Sequence, residues 1–191
     1  MTEELSRLRE TKTASEEMFR GSMLRLQVDM VELPNGKPDH RELVRHNGAV
    51  AVCALTDDGC VVTERQFRYP VDAVLTELPA GKLNGRDEDP LEAAKRELRE
   101  ETGYTADRWT PLGSFYPAAA YSDEKIELFL AQGLHPGACQ PDEDEFIEIS
   151  PVPLEELKRQ VLAGEIPDAK TQALTMRVWA MLHSQNGSDT E

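Results

Sequence analysis

The chain predicts a mixed α and β fold, a helix–sheet–helix sandwich preceded by a small N-terminal antiparallel β arm. Three observations carry this: strand-like runs separated by tight-turn signals, a capped amphipathic helix in mid-chain, and two further helical stretches near the C-terminus.

In chain order, Met23 to Leu33 and Arg41 to Arg45 flank the turn signal PNGKPD and predict a hairpin. A hairpin alone is marginal in water, so it needs a partner surface. Ala49 to Leu55 and Cys60 to Phe67 flank DDG and predict a second hairpin. Asp89 is placed to cap a helix, with Glu92 three residues on, Pro90 at the first helical position and Gly103 as the left-handed stop. That helix should run from Pro90 to Thr102, with Leu91, Ala94 and Leu98 as a narrow apolar stripe for docking. Leu112 to Tyr116, Lys125 to Ala131 and Phe146 to Ile149 read as strands. Pro153 to Leu162 and Asp168 to Leu182 read as helices, the last capped by Asp168. The polar stretches Met1 to about Thr13 and about Ser184 to Glu191 read as tails.

With 191 residues the chain suffices for one well-packed domain and a small arm, which we place at 47–191 and 1–46. No apolar run approaches a membrane span, and MTEELSRLRETK lacks the apolar core of a signal peptide, so a cytoplasmic location is expected. The net charge of −15, from 36 acidic and 21 basic residues, argues against a nucleic-acid surface, which needs a basic stripe. Cys53, Cys60 and Cys139 form no CxxC pair and suggest neither a disulfide framework nor a zinc site. His40, His46, His135 and His183 are scattered and form no ligand pattern.

The chemistry concentrates in GKLNGRDEDPLEAAKRELREETGY, Gly81 to Tyr104. Residues three and four apart on a helix are neighbours, so Glu97 lies beside Glu100 and Glu101. Like charges so close destabilise one another, and a divalent cation offsets that cost because hard ions take carboxylate oxygens.

This stretch resembles the signature of the Nudix hydrolases. Arg96, Glu97, Leu98, Arg99, Glu100, Glu101, Thr102 and Gly103 match its second half, with Tyr104 standing where an aliphatic residue is usual. In the first half, Gly81 and Glu88 are one residue further apart than in the family, an insertion that enlarges the Asn84 to Asp87 loop. VELPNGK, HNGAVAV, RQFRYPV, TELPAGK, EDEFIE and IPDAKT extend the resemblance to the ADP-ribose pyrophosphatase branch over nearly the whole chain.

The resemblance implies a sandwich built on a mixed sheet and metal-dependent hydrolysis of a diphosphate, with ADP-ribose giving AMP and ribose 5-phosphate. Glu97 and Glu101 would hold the metal, Glu100 would be a third carboxylate near it, and the carbonyl of Ala80 would complete the cluster. Carboxylate and carbonyl donors favour Mg²⁺ or Mn²⁺. A catalytic glutamate on an acidic loop falls at Glu145, with Glu143 as substitute, and Arg96 would brace the helix carboxylates or Glu88 through its fork of donors. Arg68 and Glu77 match substrate-contacting positions; Arg41, which can stack on a base, and Glu42 join them. The arm would exchange across a homodimer. Ala119 stands where the branch often carries a proline, with Pro117 two residues early, so another nucleotide sugar, a GDP- or UDP-hexose, is the competing substrate. From a different class, a non-catalytic nucleotide-binding sensor would have lost metal carboxylates, whereas Glu97, Glu100 and Glu101 are all present.

Overall fold

The computed structural model describes residues 7–22, 24–139 and 146–184, and these fall into two compact units, one of the described residues up to 47 with 118–125, the other of those at 48–117 and from 126 onward.

The first unit is an antiparallel sheet of three strands, β1 (Thr11–Arg20), β2 (Arg25–Glu32) and β3 (Pro38–Arg45), in that order. The β2–β3 turn forms where PNGKPD predicts it, with Gly36 at φ +78° and the Leu33 N–H bonded to the Lys37 carbonyl at 2.8 Å. β1 is a correction to the polar tail, which was expected to reach about Thr13. All ten of its residues are exposed, so no buried alternation marks it, and backbone pairing with β2 makes it a strand. Asp29 of β2 is buried and accepts from Ser15 and from Arg45 Nη2, the latter at 3.1 Å. Ala119 lies in the turn that brings the segment 118–125 back to β3, where the Val44 N–H donates to the Tyr121 carbonyl at 2.7 Å.

The second unit is a seven-stranded mixed sheet, ordered β10-β5-β4-β9-β8 with β6 beside β5 and β7 beside β4. Its strands are β4 (Ala49–Leu55), β5 (Cys60–Arg68), β6 (Ala73–Glu77), β7 (Ala80–Lys82), β8 (Thr105–Phe115), β9 (Ile126–His135) and β10 (Ile147–Pro153). Its α-helices among the described residues are α1 (Pro90–Thr102), α2 (Leu154–Leu162) and α3 (Ala169–Ser184). β4 and β9 run parallel while the other pairs are antiparallel.

β4 is buried along its whole length because both its faces are covered. Successive side chains of a strand point to opposite faces. Val50, Val52 and Ala54 therefore join Ala93, Ala94 and Leu98 of α1, while Ala51, Cys53 and Leu55 join Leu157 of α2 and Leu174 and Val178 of α3. The helix–sheet–helix sandwich is thus two cores divided by one strand. Burial pushes the Cys53 thiol up to about 12, as expected of a small core residue with no reactive role. β6 and β7 go unmarked in the sequence: one is short and only half-buried, the other is the three-residue AGK.

Candidate active site

The capping residues of α1 fix where its carboxylates fall. Asp89 accepts from the N–H groups of Leu91 at 2.8 Å and Glu92 at 3.3 Å, and Gly103 ends the helix at φ +75°. The apolar stripe at Ala94 and Leu98 docks on the sheet and turns Glu97 and Glu101 toward β7.

Contacts between β7 and α1 are close. A Cβ built on Gly81 would lie 1.9 Å from Cδ of Glu97, so any side chain here would displace that carboxylate. One residue earlier, the Ala80 N–H donates to Glu101 Oε2 at 3.0 Å, and Glu101 is 4% exposed. Arg96 reaches along the helix to Glu97 Oε1 at 2.7 Å, Glu100 Oε2 at 3.2 Å, Glu88 Oε1 at 3.5 Å and the Lys82 carbonyl at 3.2 Å. Burial alone would lower its pKa, but Glu97, Glu100 and Glu88 outweigh that and raise it, so the guanidinium stays charged. Glu88 also accepts from the Asn84 side chain at 3.2 Å, closing the enlarged loop.

Among the described residues no three His, Cys, Asp or Glu side chains are gathered closely enough to hold a metal ion. Here Glu97 and Glu100 share Arg96, and Glu101 is turned to the Ala80 N–H. The donor set nonetheless fits a hard divalent cation: three carboxylates on one helix, with one of them seated against a glycine backbone.

Arg68 and Glu77 come together. The Arg68 fork donates from Nε at 2.7 Å and Nη2 at 2.8 Å to the Glu77 carboxylate, which also accepts from Lys170. Burial would raise the Glu77 carboxyl, but Arg68 and Lys170 prevail and hold it below the usual carboxylate range. Glu64, fully buried, lies opposite Glu77 in the β5–β6 register.

Arg41 and Glu42 lie on β3 in the other unit, where Arg41 is held by Glu10 and Asp39 and Glu42 is exposed. Glu145 and Glu143, and Met23 of the expected first strand, lie outside the described residues. Sequence reasoning gave no role to Lys170 and Thr171, although both sit in IPDAKT. Their contacts to Glu77 and Leu78 span 93 residues, and the only signal available was their presence in that segment.

The NUDIX domain family model matches residues 44–173. An ADP-ribose pyrophosphatase of Bacillus subtilis (strain 168) is 45% identical over 166 residues, which cover 86% of this chain and 89% of that protein. A methanol dehydrogenase activator of Bacillus methanolicus is 43% identical over 170 residues, covering 87% and 91%. The crystal structure of an ADP compounds hydrolase superposes with a TM-score of 0.80 at 24% identity, over 93% of this chain and 97% of that one, a likeness of fold.

Proposed function

Because the chain belongs to the Nudix family and is a Nudix hydrolase, we propose that it cleaves the diphosphate of ADP-ribose with water, giving AMP and ribose 5-phosphate. The observation that carries this reading is the seating of Glu97 and Glu101 of α1 against the Ala80–Gly81 backbone. Glu97, Glu101, Glu100 and the Ala80 carbonyl would hold a divalent cation, Mg²⁺ or Mn²⁺. When bound, that cation neutralises charge on the diphosphate oxygens and makes water a better nucleophile. In a chain of net charge −15, an anionic substrate needs such neutralisation to approach.

The protein's own groups do the rest. Arg96 holds the helix carboxylates at fixed spacing. Glu145, with Glu143 as its substitute, is the group we assign to take the proton of the attacking water. Arg68 and Glu77 are assigned to the diphosphate and ribose, and Arg41 and Glu42 to the rest of the substrate. Since the three-stranded arm leaves Phe19, Leu26 and Met30 exposed, we assign the protein to a homodimer in which the arms meet a partner. Its site of action is the cytoplasm, and neither nucleic acid nor membrane is a partner.

A second reading, hydrolysis of a GDP- or UDP-hexose, is favoured by Ala119 standing where the branch often has proline. Product analysis over a panel of nucleotide diphosphates with Mg²⁺ decides between them. AMP and ribose 5-phosphate from ADP-ribose at the highest kcat/KM is the expected result. Brisk turnover of a hexose conjugate with none of ADP-ribose replaces the first reading by the second, and wild-type turnover by Glu101→Gln removes both.

A further inference from the structure

We infer that the first turn of α3 is a positioning device for the carboxylate site, with Lys170 and Thr171 fixing the strap Glu77–Ala80 whose far end holds Glu101. This rests on the proposed reading of Glu101 and the Ala80 carbonyl as cation ligands. Each residue of the strap is tied down. Glu77, 1% exposed, is gripped by Arg68 from its own sheet and by Lys170 from α3. The Leu78 N–H donates to Thr171 Oγ1 at 2.9 Å, and that hydroxyl donates to Asp168 Oδ2 at 2.6 Å. The Pro79 carbonyl accepts from the Val52 N–H at 2.8 Å, and the Ala80 N–H donates to Glu101 at 3.0 Å.

The chain of bonds therefore runs from the Asp168 cap through Thr171 and the strap to a carboxylate of α1. Both Thr171 and Leu78 are fully buried, so deleting the hydroxyl leaves the Leu78 N–H without its acceptor in a site closed to solvent. The strap shifts to relieve this, and the Ala80 carbonyl and Glu101 move with it. Lys170 acts at the other end. By sharing the Glu77 carboxylate it keeps Arg68 from being the sole counter-charge, which preserves the guanidinium's pull on an anion.

The test compares Thr171→Val, Thr171→Ser, Lys170→Met and Lys170→Arg with wild type. Calorimetric Mn²⁺ binding to metal-stripped protein, kcat, KM and thermal midpoint are measured for each. Thr171→Val should weaken Mn²⁺ binding roughly tenfold, as outer partners of metal ligands do, and raise the half-activating cation concentration to match. Thr171→Ser should restore both. Lys170→Met should raise KM by a larger factor than it lowers kcat, and Lys170→Arg should reverse the split. Folded Thr171→Val that binds Mn²⁺ like wild type, or Lys170→Met with an unchanged KM-to-kcat pattern, overturns the inference. Should Thr171→Val fail to fold, the lysine pair decides alone. Wild-type protein that binds no Mn²⁺ and cleaves no diphosphate overturns the proposed function instead.

Discussion

Gly81 and Glu97 were both legible in the sequence, but the reason they belong together was not. The glycine brackets the carboxylate helix, and only the structure shows that its missing side chain is the space Glu97 fills, 1.9 Å from where a Cβ would sit. Gly81→Ala is expected to push Glu97 aside and lower kcat/KM on the order of a hundredfold, the usual consequence of misplacing a reacting group by about 1 Å. Steady-state kinetics with circular dichroism check this; undiminished activity in a folded variant contradicts it. Glu77 gives a second case. Its folded carboxyl lies below its ordinary value, so its stabilisation is present above about pH 4.3 and is lost as pH falls further through the depressed value. Glu77→Gln should cost about 3 kcal/mol at neutral pH, since it leaves Arg68 and Lys170 facing an uncharged partner in a buried site. In urea unfolding the gap from wild type should close on acidification below that point, and a gap that widened there would contradict the assignment. The family resemblance singled out Glu77 and Arg68 but not Lys170, which approaches from 93 residues away.

At the level of elements, legibility tracked local chemistry. α1 begins and ends where Asp89, Pro90 and Gly103 place it, because capping is decided within a few residues. α3 is capped by Asp168, whose Oδ2 accepts from the Thr171 N–H at 2.9 Å. β1 was invisible because its pairing, not its side chains, makes it a strand. That strand and its neighbour present an apolar face: Phe19 lies opposite Leu26, and Leu26 and Met30 share a side of β2, all substantially exposed. In the proposed homodimer this face is a surface for the partner. Light scattering coupled to gel filtration should report a dimer for wild type and a shift to monomer for a Leu26→Lys, Met30→Lys double variant. A monomeric wild type would remove the arm's assigned role.

For the molecule as a whole, the sandwich was readable from strand-like runs interleaved with one capped helix and two later helical stretches, and β4, buried at every position, is the strand its two layers of helix cover. The order of strands was not, because it depends on a pairing between distant segments: Ala49 with Ile126 through Leu55 with Gln132, in parallel. That pairing has a consequence in time. Everything between Leu55 and Ile126, including β7 and α1, lies inside the loop it closes. Lengthening a loop adds only about 0.6 kcal/mol per doubling, so the burden falls on the rate of folding more than on final stability. A chain still emerging from the ribosome thus carries the carboxylates of the proposed site on a helix whose sheet is not yet complete. On the proposed reading, that site is complete only once β9 has been made and pairs with β4.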